Sequence, residues 1–338
     1  MRWNREAGRH AAMLRVFPAA PGAEDQAGHI APDCLAQAGW IDLHNPTERE
    51  IRLVSQETGQ AIPSRQALEE IENSSRLRLH EETLYLSMPL VSRSSEEPVV
   101  GPLGMVVNRE RLITIRFQEA QVFDRLHEAL AARQAGGSSG FRLMVALIEA
   151  LVDRLADVLE MTATDIDRVS GTIFRESRQT SRRPARADRM LQASLRRIGQ
   201  LGDRLGKIRD TLLGVGRIVP YVITNAQDWL SDALTVRLES LKADIASLND
   251  YENHLNMKLN FLLDATLGFI NIEQSGIVKV LTIVSVAGIP PVLIAGIYGM
   301  NFKLMPELDW YYGYPMSLGL MVLSILLTIA WFRIRGWF

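Results

Sequence analysis

Two stretches near the C-terminus contain no Asp, Glu, Lys or Arg: Val280 to Phe302 and Trp310 to Phe332, 23 residues each. As a helix, either one is long enough to cross a hydrocarbon layer of about 30 Å. Only the seven residues from Lys303 to Asp309 separate them. Two such runs back to back predict a membrane hairpin and weigh against a buried hairpin in a soluble core. The averages conceal this, because 22% charged residues, a net charge of −2 and a pI near 6.3 describe an ordinary globular protein.

Orientation follows from the flanks. Lys279 precedes the first run, and Arg333 and Arg335 follow the second, forming a basic collar. The intervening loop sets Lys303 against Glu307 and Asp309. The excess of positive charge on one side predicts both termini in the cytoplasm and the loop outside, in a multi-pass membrane protein. No signal peptide is expected, since the first apolar stretch is broken by Arg15 and Pro18. Residues 1–12 read as a leader outside the fold. Cys34 is the single cysteine, which leaves neither a disulfide framework nor a thiolate metal cage.

The remainder divides by periodicity. Residues 13–135 read as a cytoplasmic α/β domain. "MLRVF" (13–17), "GWIDLH" (39–44), "TLYLSMPLV" (83–91), "VVGPLGMVV" (99–107) and "RLITIRF" (111–117) are strand-like. Between the first of these, "NPTEREIRLVSQETG" (45–59) predicts a helix capped by Asn45, with Pro46 in the first turn and Gly59 as terminator. "SRSSEE" (92–97) predicts a hairpin or loop, and "ARQAGGSSG" (132–140) a joint between domains.

Residues 140–278 read as helical throughout, a stalk leading to the membrane. Leu234, Leu238, Leu241, Ile245, Leu248, Glu252, Leu255, Leu259, Leu262, Thr266 and Phe269 alternate steps of four and three. They form a heptad seam with Glu252 and Thr266 as its polar interruptions. Such a helix packs either on its own domain or on copies of itself, and its continuity with a membrane run favours a symmetric oligomer. Residues 182–217 carry ten Lys or Arg against three Asp. No aromatic residues interleave with these charges, so a solvated helix pair is expected and nucleic acid is not a predicted partner.

Two helices from one chain cannot enclose a water-filled path, so transport would require several copies around an axis. On the first membrane helix, Ser275, Val278, Leu281, Ser285, Ile289, Val292 and Gly296 share one face. It is apolar and relieved by small or hydroxyl side chains, a composition suited to a narrow pore. Pro290 and Pro291 remove two backbone donors there. Periodicity alone leaves a pore-lining face and an ordinary kinked packing face equally open.

The residues at the end of that helix are more specific. "GIYGMNF" (296–302), "MPEL" (305–308) and "GYP" (313–315), with "VKVLTIVSVAGIPPVLIAG" before them and a weaker match back to "GWIDLHNPT", closely resemble the CorA family of magnesium transport channels. The resemblance implies a homopentameric funnel: an α+β cytoplasmic domain, a long stalk helix and two C-terminal transmembrane helices. The first of these (279–302) would line the pore, followed by an extracytoplasmic loop (303–309), the second helix (310–333) and a basic cytoplasmic tail (334–338). It implies Gly299, Met300 and Asn301 as the selectivity filter, with Lys303, Glu307 and Asp309 at the outer mouth. The cargo implied is Mg²⁺, with Co²⁺ or Ni²⁺ as further substrates, and cytosolic Mg²⁺ bound between subunits would regulate the channel. Mg²⁺ sheds water reluctantly, so a ring of Asn301 amide oxygens would bind the ion through its hydration shell. A divalent ion gains roughly 4.6 kcal/mol per 100 mV of inside-negative potential, so uptake would need no ATP.

Three features depart from the family pattern. Lys303 stands where many relatives carry an acidic residue, Ser275 where an inner-pore asparagine is common, and 182–217 is basic rather than acidic. Lys303 and Ser275 keep open the ZntB branch of the superfamily, associated with Zn²⁺, while "MPEL" and "GYP" favour the magnesium branch. The rival from another class is a membrane-anchored coiled-coil scaffold. No enzyme is expected: "GDRLGKI" (202–208) lacks the spacing and the hydroxyl of a phosphate loop, and the six histidines show no ligand spacing. No resident cofactor is predicted, and the partners are copies of the chain, membrane lipid and divalent cations.

Overall fold

The computed structural model describes residues 13–17, 32–70, 72, 76–94, 97–132, 139–176, 184–300, 305–306 and 310–337. Six strands, β1 (Met13–Phe17), β2 (Trp40–His44), β3 (Leu77–His80), β4 (Thr83–Ser94), β5 (Glu97–Val107) and β6 (Leu112–Arg116), form one sheet in the order β1-β2-β6-β5-β4-β3. All neighbours are antiparallel except β2 and β6, which run parallel with Ile41 opposite Ile113 and Leu43 opposite Ile115. Every residue of β2 and β6 is buried. Both faces of the sheet are therefore covered at its centre, so the polar residues of these strands, Asp42, His44, Thr114 and Arg116, are buried along with the apolar ones.

One face packs on the short helices α1 (Pro32–Gln37), α2 (Glu48–Thr58) and α3 (Arg65–Glu69). Its core joins Ile41, Leu43, Ile113 and Ile115 to Leu35, Val54 and Leu68. The opposite face presents Trp40, Leu86, Met88, Leu103 and Leu112 to α4 (Gln121–Ala132), α5 (Gly140–Gly171), α6 (Pro184–Asn225) and α7 (Asp232–Tyr298). Phe123, Phe141, Leu147, Val219 and Leu238 are the helical side of this larger core.

The cap of α2 differs from the expectation. Thr47, not Asn45, is the N-cap: its hydroxyl accepts from the Glu50 backbone while Glu50 reaches back to the Thr47 N–H at 2.7 Å. The reciprocal pair satisfies two helix-end donors, which Asn45 could not do from two residues further out. Asn45 instead adopts φ 48°, a left-handed conformation that asparagine tolerates. Gly59 does terminate the helix, at φ 68°. The expected hairpin or loop at 92–97 is a hairpin: β4 continues to Ser94, β5 begins at Glu97, and the two strands pair antiparallel with Ser94 opposite Glu97. Most of the expected joint, 133–138, lies outside the described residues.

The chain divides into two compact units, residues up to Gly171 with Arg196–Phe261, and Thr172–Leu195 with Leu262–Phe338. In the first, the seam of α7 is answered within the same chain. Leu234, Leu238, Leu241, Ile245, Leu255 and Leu259 are all buried. Gly202, Arg209 and Gly216 of α6 meet Leu259, Glu252 and Ile245 of α7. Each heptad up α6 is a heptad down α7, an antiparallel register. Helices α5 and α7 run parallel, tied by Glu149–Arg237 and Asp167–Lys258. The seam is thus intramolecular and is not by itself a reason for an oligomer. The basic stretch is neutralised in part by its neighbours: Asp165 accepts from Arg197 at 3.0 Å and from Arg204 at 3.1 Å. "GDRLGKI" is helical, with no loop to cradle a phosphate.

Candidate functional site: the membrane hairpin

Among the described residues, two helices are long and apolar enough to cross a membrane: α7, through its C-terminal part, and α8 (Gly313–Ile334). In the second unit, α7 has one partly covered face, containing Ile283, Ala287, Pro290, Ile294 and Tyr298. Along 274–298 the other residues are exposed, apart from the half-covered Thr282 and Pro291. Ser275, Val278, Leu281, Ser285, Ile289, Val292 and Gly296 are all exposed, Val292 to 71%. The structure thus brings these seven residues together on a bare strip of helix, distinct from the covered face.

Four of them, Ser285, Ile289, Val292 and Gly296, line an open groove of about 670 Å³ that extends to Met300. It exists because Gly288 and Gly296 contribute no side chain, so the surface dips between flanking valine and leucine side chains. Pro290 and Pro291 lie within the helix, and an i→i−4 ladder has no donor there for the carbonyls of Val286 and Ala287. Backbone oxygen is therefore freed within an apolar span, which is tolerated only where water, protein or an ion can meet it.

The helix stops at Tyr298. The Gly299 N–H bonds to Ala295 O at 2.9 Å, and the Met300 N–H to Ile297 O at 3.2 Å. A Cβ at 299 would sit 3.0 Å from that same Ala295 oxygen, so this tightened last turn favours glycine. Met300 is 47% exposed. Asn301 lies outside the described residues, as do Lys303, Glu307 and Asp309.

The second run begins later as helix than as apolar sequence, because Trp310, Tyr311 and Tyr312 form a turn before α8. These exposed rings stack edge to face, Tyr311 on Tyr312 with centroids 4.9 Å apart. At the other end, Trp331, Phe332 and Trp337 cluster with centroids 5.0 and 5.1 Å apart. About 20 residues separate the groups, roughly 30 Å of helix, the spacing of the two interfaces of a bilayer. Aromatic rings favour those interfaces, a signal the sequence reading missed although the residues were in view. Of the basic collar, Lys279, Arg333 and Arg335 are exposed, and Arg335 places its guanidinium 5.3 Å from the Trp331 ring centre.

A second polar assembly, in the sheet, also escaped the sequence reading. Asp42 on β2 is fully buried and accepts from Arg116 Nη2 at 2.9 Å and Thr114 Oγ1 at 2.7 Å. His127 stacks on Trp40, with ring centres 3.9 Å apart. Burial pushes the imidazoles of His44 and His127 below the ordinary histidine value; Arg116 adds to this at His44. The histidines are scattered in sequence, but two of the six converge here. Among the described residues no three His, Cys, Asp or Glu side chains group as a metal site.

Comparison with known proteins identifies the family. Residues 36–334 match the family described as CorA-like Mg2+ transporter protein. This chain belongs to the CorA family. The Magnesium transport protein CorA of Yersinia pseudotuberculosis is 32% identical over 307 residues, covering 90% of this chain and 93% of that one. The protein of the same name from Escherichia coli K12 is 32% identical over 305 residues, with the same coverage. Among solved structures, the complete CorA magnesium transporter of Methanocaldococcus jannaschii matches with a TM-score of 0.74 at 21% identity, over 88% of this chain and 91% of that one. The full-length CmaX protein matches with a TM-score of 0.63 at 17% identity, over 88% of each chain. The expected fold is thus the observed one: a mixed-sheet N-terminal domain, a long helix and two C-terminal apolar helices. CorA proteins are transporters, not enzymes, which agrees with the absence of any catalytic signature in the sequence.

Proposed function

We propose that this chain transports Mg²⁺ across a bacterial inner membrane, as a homopentamer with both termini in the cytoplasm. The single observation that carries the reading is the bare strip of α7 from Ser275 to Gly296, leading to Gly299 and Met300 in a member of the CorA family. A strip exposed to 60–71% at Val278, Leu281, Ile289 and Val292 needs a partner, and several copies around an axis would turn it into a narrow, mostly apolar lining. Small side chains and proline-freed carbonyls would ease passage of an ion that keeps its water. In this arrangement 279–302 lines the pore and 310–333 surrounds it. Lys279, Arg333 and Arg335 form the cytoplasmic collar. Asn301 holds the hydrated ion at the outer mouth through an amide oxygen, neutral enough to release it. The membrane potential supplies the drive. Co²⁺ and Ni²⁺ are further substrates on the same grounds of size and charge, and cytosolic Mg²⁺ acts as regulator.

The test is uptake into proteoliposomes carrying a Mg²⁺- or Zn²⁺-sensitive dye, with and without a proton gradient. Mg²⁺ flux that ignores the gradient and is lost in Asn301→Ala supports the reading. Proton-dependent Zn²⁺ flux alone would replace Mg²⁺ by Zn²⁺ as cargo. Flux indifferent to Asn301→Ala would remove the filter assignment, and no flux at all would leave a membrane-anchored scaffold.

A further inference from the structure

Glu252 interrupts the leucine seam of α7 and is only 1% exposed. Its Oε1 has no hydrogen-bond partner among the described residues. From α6, Arg209 places Nη1 3.9 Å from Oε2, beyond hydrogen-bond range, and that guanidinium is half exposed to water. The ties between α5 and α7, offset by 88 and 91 residues, put Glu252 beside residues 161–164 of α5. That stretch is Met-Thr-Ala-Thr and carries no titratable group. Arg209 is therefore the charged group that faces Glu252 from the packed helices. One long, water-screened contact poorly compensates a buried carboxylate, whereas a neutral carboxyl loses far less on leaving water. Burial accordingly pushes this carboxyl up from its ordinary value and Arg209 draws it back.

We propose that Glu252 is a proton-operated latch in the helical bundle, neutral where α6 and α7 are closed on each other and ionised where that level opens to water. An acid that holds its proton more tightly in the closed bundle stabilises that bundle in acid. The increment is present in full below about 4.5 and is lost as pH rises through the raised closed-state value. Acidification thus tightens α6 against α7 at the level of Arg209.

The experiment uses the full chain in nanodiscs, comparing wild type with Glu252→Gln, which keeps the shape and is permanently neutral. The variant should melt higher than wild type at pH 7.5, by roughly 2–4 °C, and the two should converge at about pH 4. Infrared spectra of wild type at pH 5 should contain a protonated-carboxyl band that Glu252→Gln lacks. Arg209→Gln, which removes the cation but keeps Glu252, raises the closed-state value alone, so the pH above which the melting gap to its own Glu252→Gln double variant stops widening should move up while the point of convergence stays. A melting difference that is the same at both pH values, or an identical carboxyl band in both proteins, would overturn the latch. Neither readout involves ion flux, so failure here leaves the transport reading intact.

Discussion

Asp42 and Arg116 form a double hydrogen-bonded ion pair at the centre of the sheet, 0% and 3% exposed, where β2 and β6 run parallel. Thr114 Oγ1 donates to the same carboxylate and in turn accepts from Trp40 Nε1 at 3.1 Å. Arg116 also donates to Gln118 O at 3.0 Å and lies 4.6 Å from the Phe123 ring centre. Every charge in the group is met. Its removal in part is therefore costlier than its removal as a whole.

Asp42→Leu strands a guanidinium in the core, and Arg116→Met strands a carboxylate. Each should destabilise the protein by about 3–5 kcal/mol. The pair Asp42→Leu with Arg116→Met should cost clearly less than the sum of the two single changes. Thermal melting of the four proteins closes the cycle, and additive losses would show that the two charges do not interact.

His127 gives the sheet domain a pH dependence opposite in sign to that of Glu252. Burial holds the imidazole below its ordinary 6.5, so the folded domain binds this proton less readily than the open chain. The resulting stabilisation is present above about 6.5 and is lost as pH falls from there toward the depressed value. His127→Phe keeps a ring against Trp40 and removes the proton. Its melting temperature should fall less than that of wild type between pH 7 and pH 5.5. Parallel decline of both proteins would exclude His127 as the group responsible.

Gly140 begins α5 where the chain returns from the sheet. A Cβ there would lie 2.2 Å from Arg111 O and 2.3 Å from Asn108 O, both backbone atoms that cannot step aside. Gly140→Ala should cost about 1–3 kcal/mol, read as a lower melting temperature. Gly276→Ala, in open space within α7, is the control and should not lower it, since alanine favours the helix.

Local signals carried far, and failed where meaning depends on distant pairing. The strands, the seam of α7 and both apolar runs were legible because each repeats at the period of its own element. The cap of α2 was misplaced by two residues because Asn45-Pro46 imitates a helix start. Only the reciprocal bonds of Thr47 and Glu50 decide between them. The Asp42 assembly joins residues 72 and 74 positions apart, and it becomes visible only once β2 is registered against β6. The seam shows the converse: its period was plain, but periodicity cannot say whose helix it meets.

Lys303 is the last residue to test, because its charge opposes the proposed task of the outer mouth. Replacement by Glu changes the charge by two per chain and, in the proposed ring of five, by ten. A more negative entrance raises the local concentration of cations and their encounter rate, an effect that salt screens. Lys303→Glu should increase the initial rate of Mg²⁺ uptake, on the order of tenfold at low ionic strength. The gain should shrink as inert salt is raised, while retention of selectivity would separate capture from filtering at Asn301. An unchanged initial rate at low salt would mean that this side chain does not face the ion path.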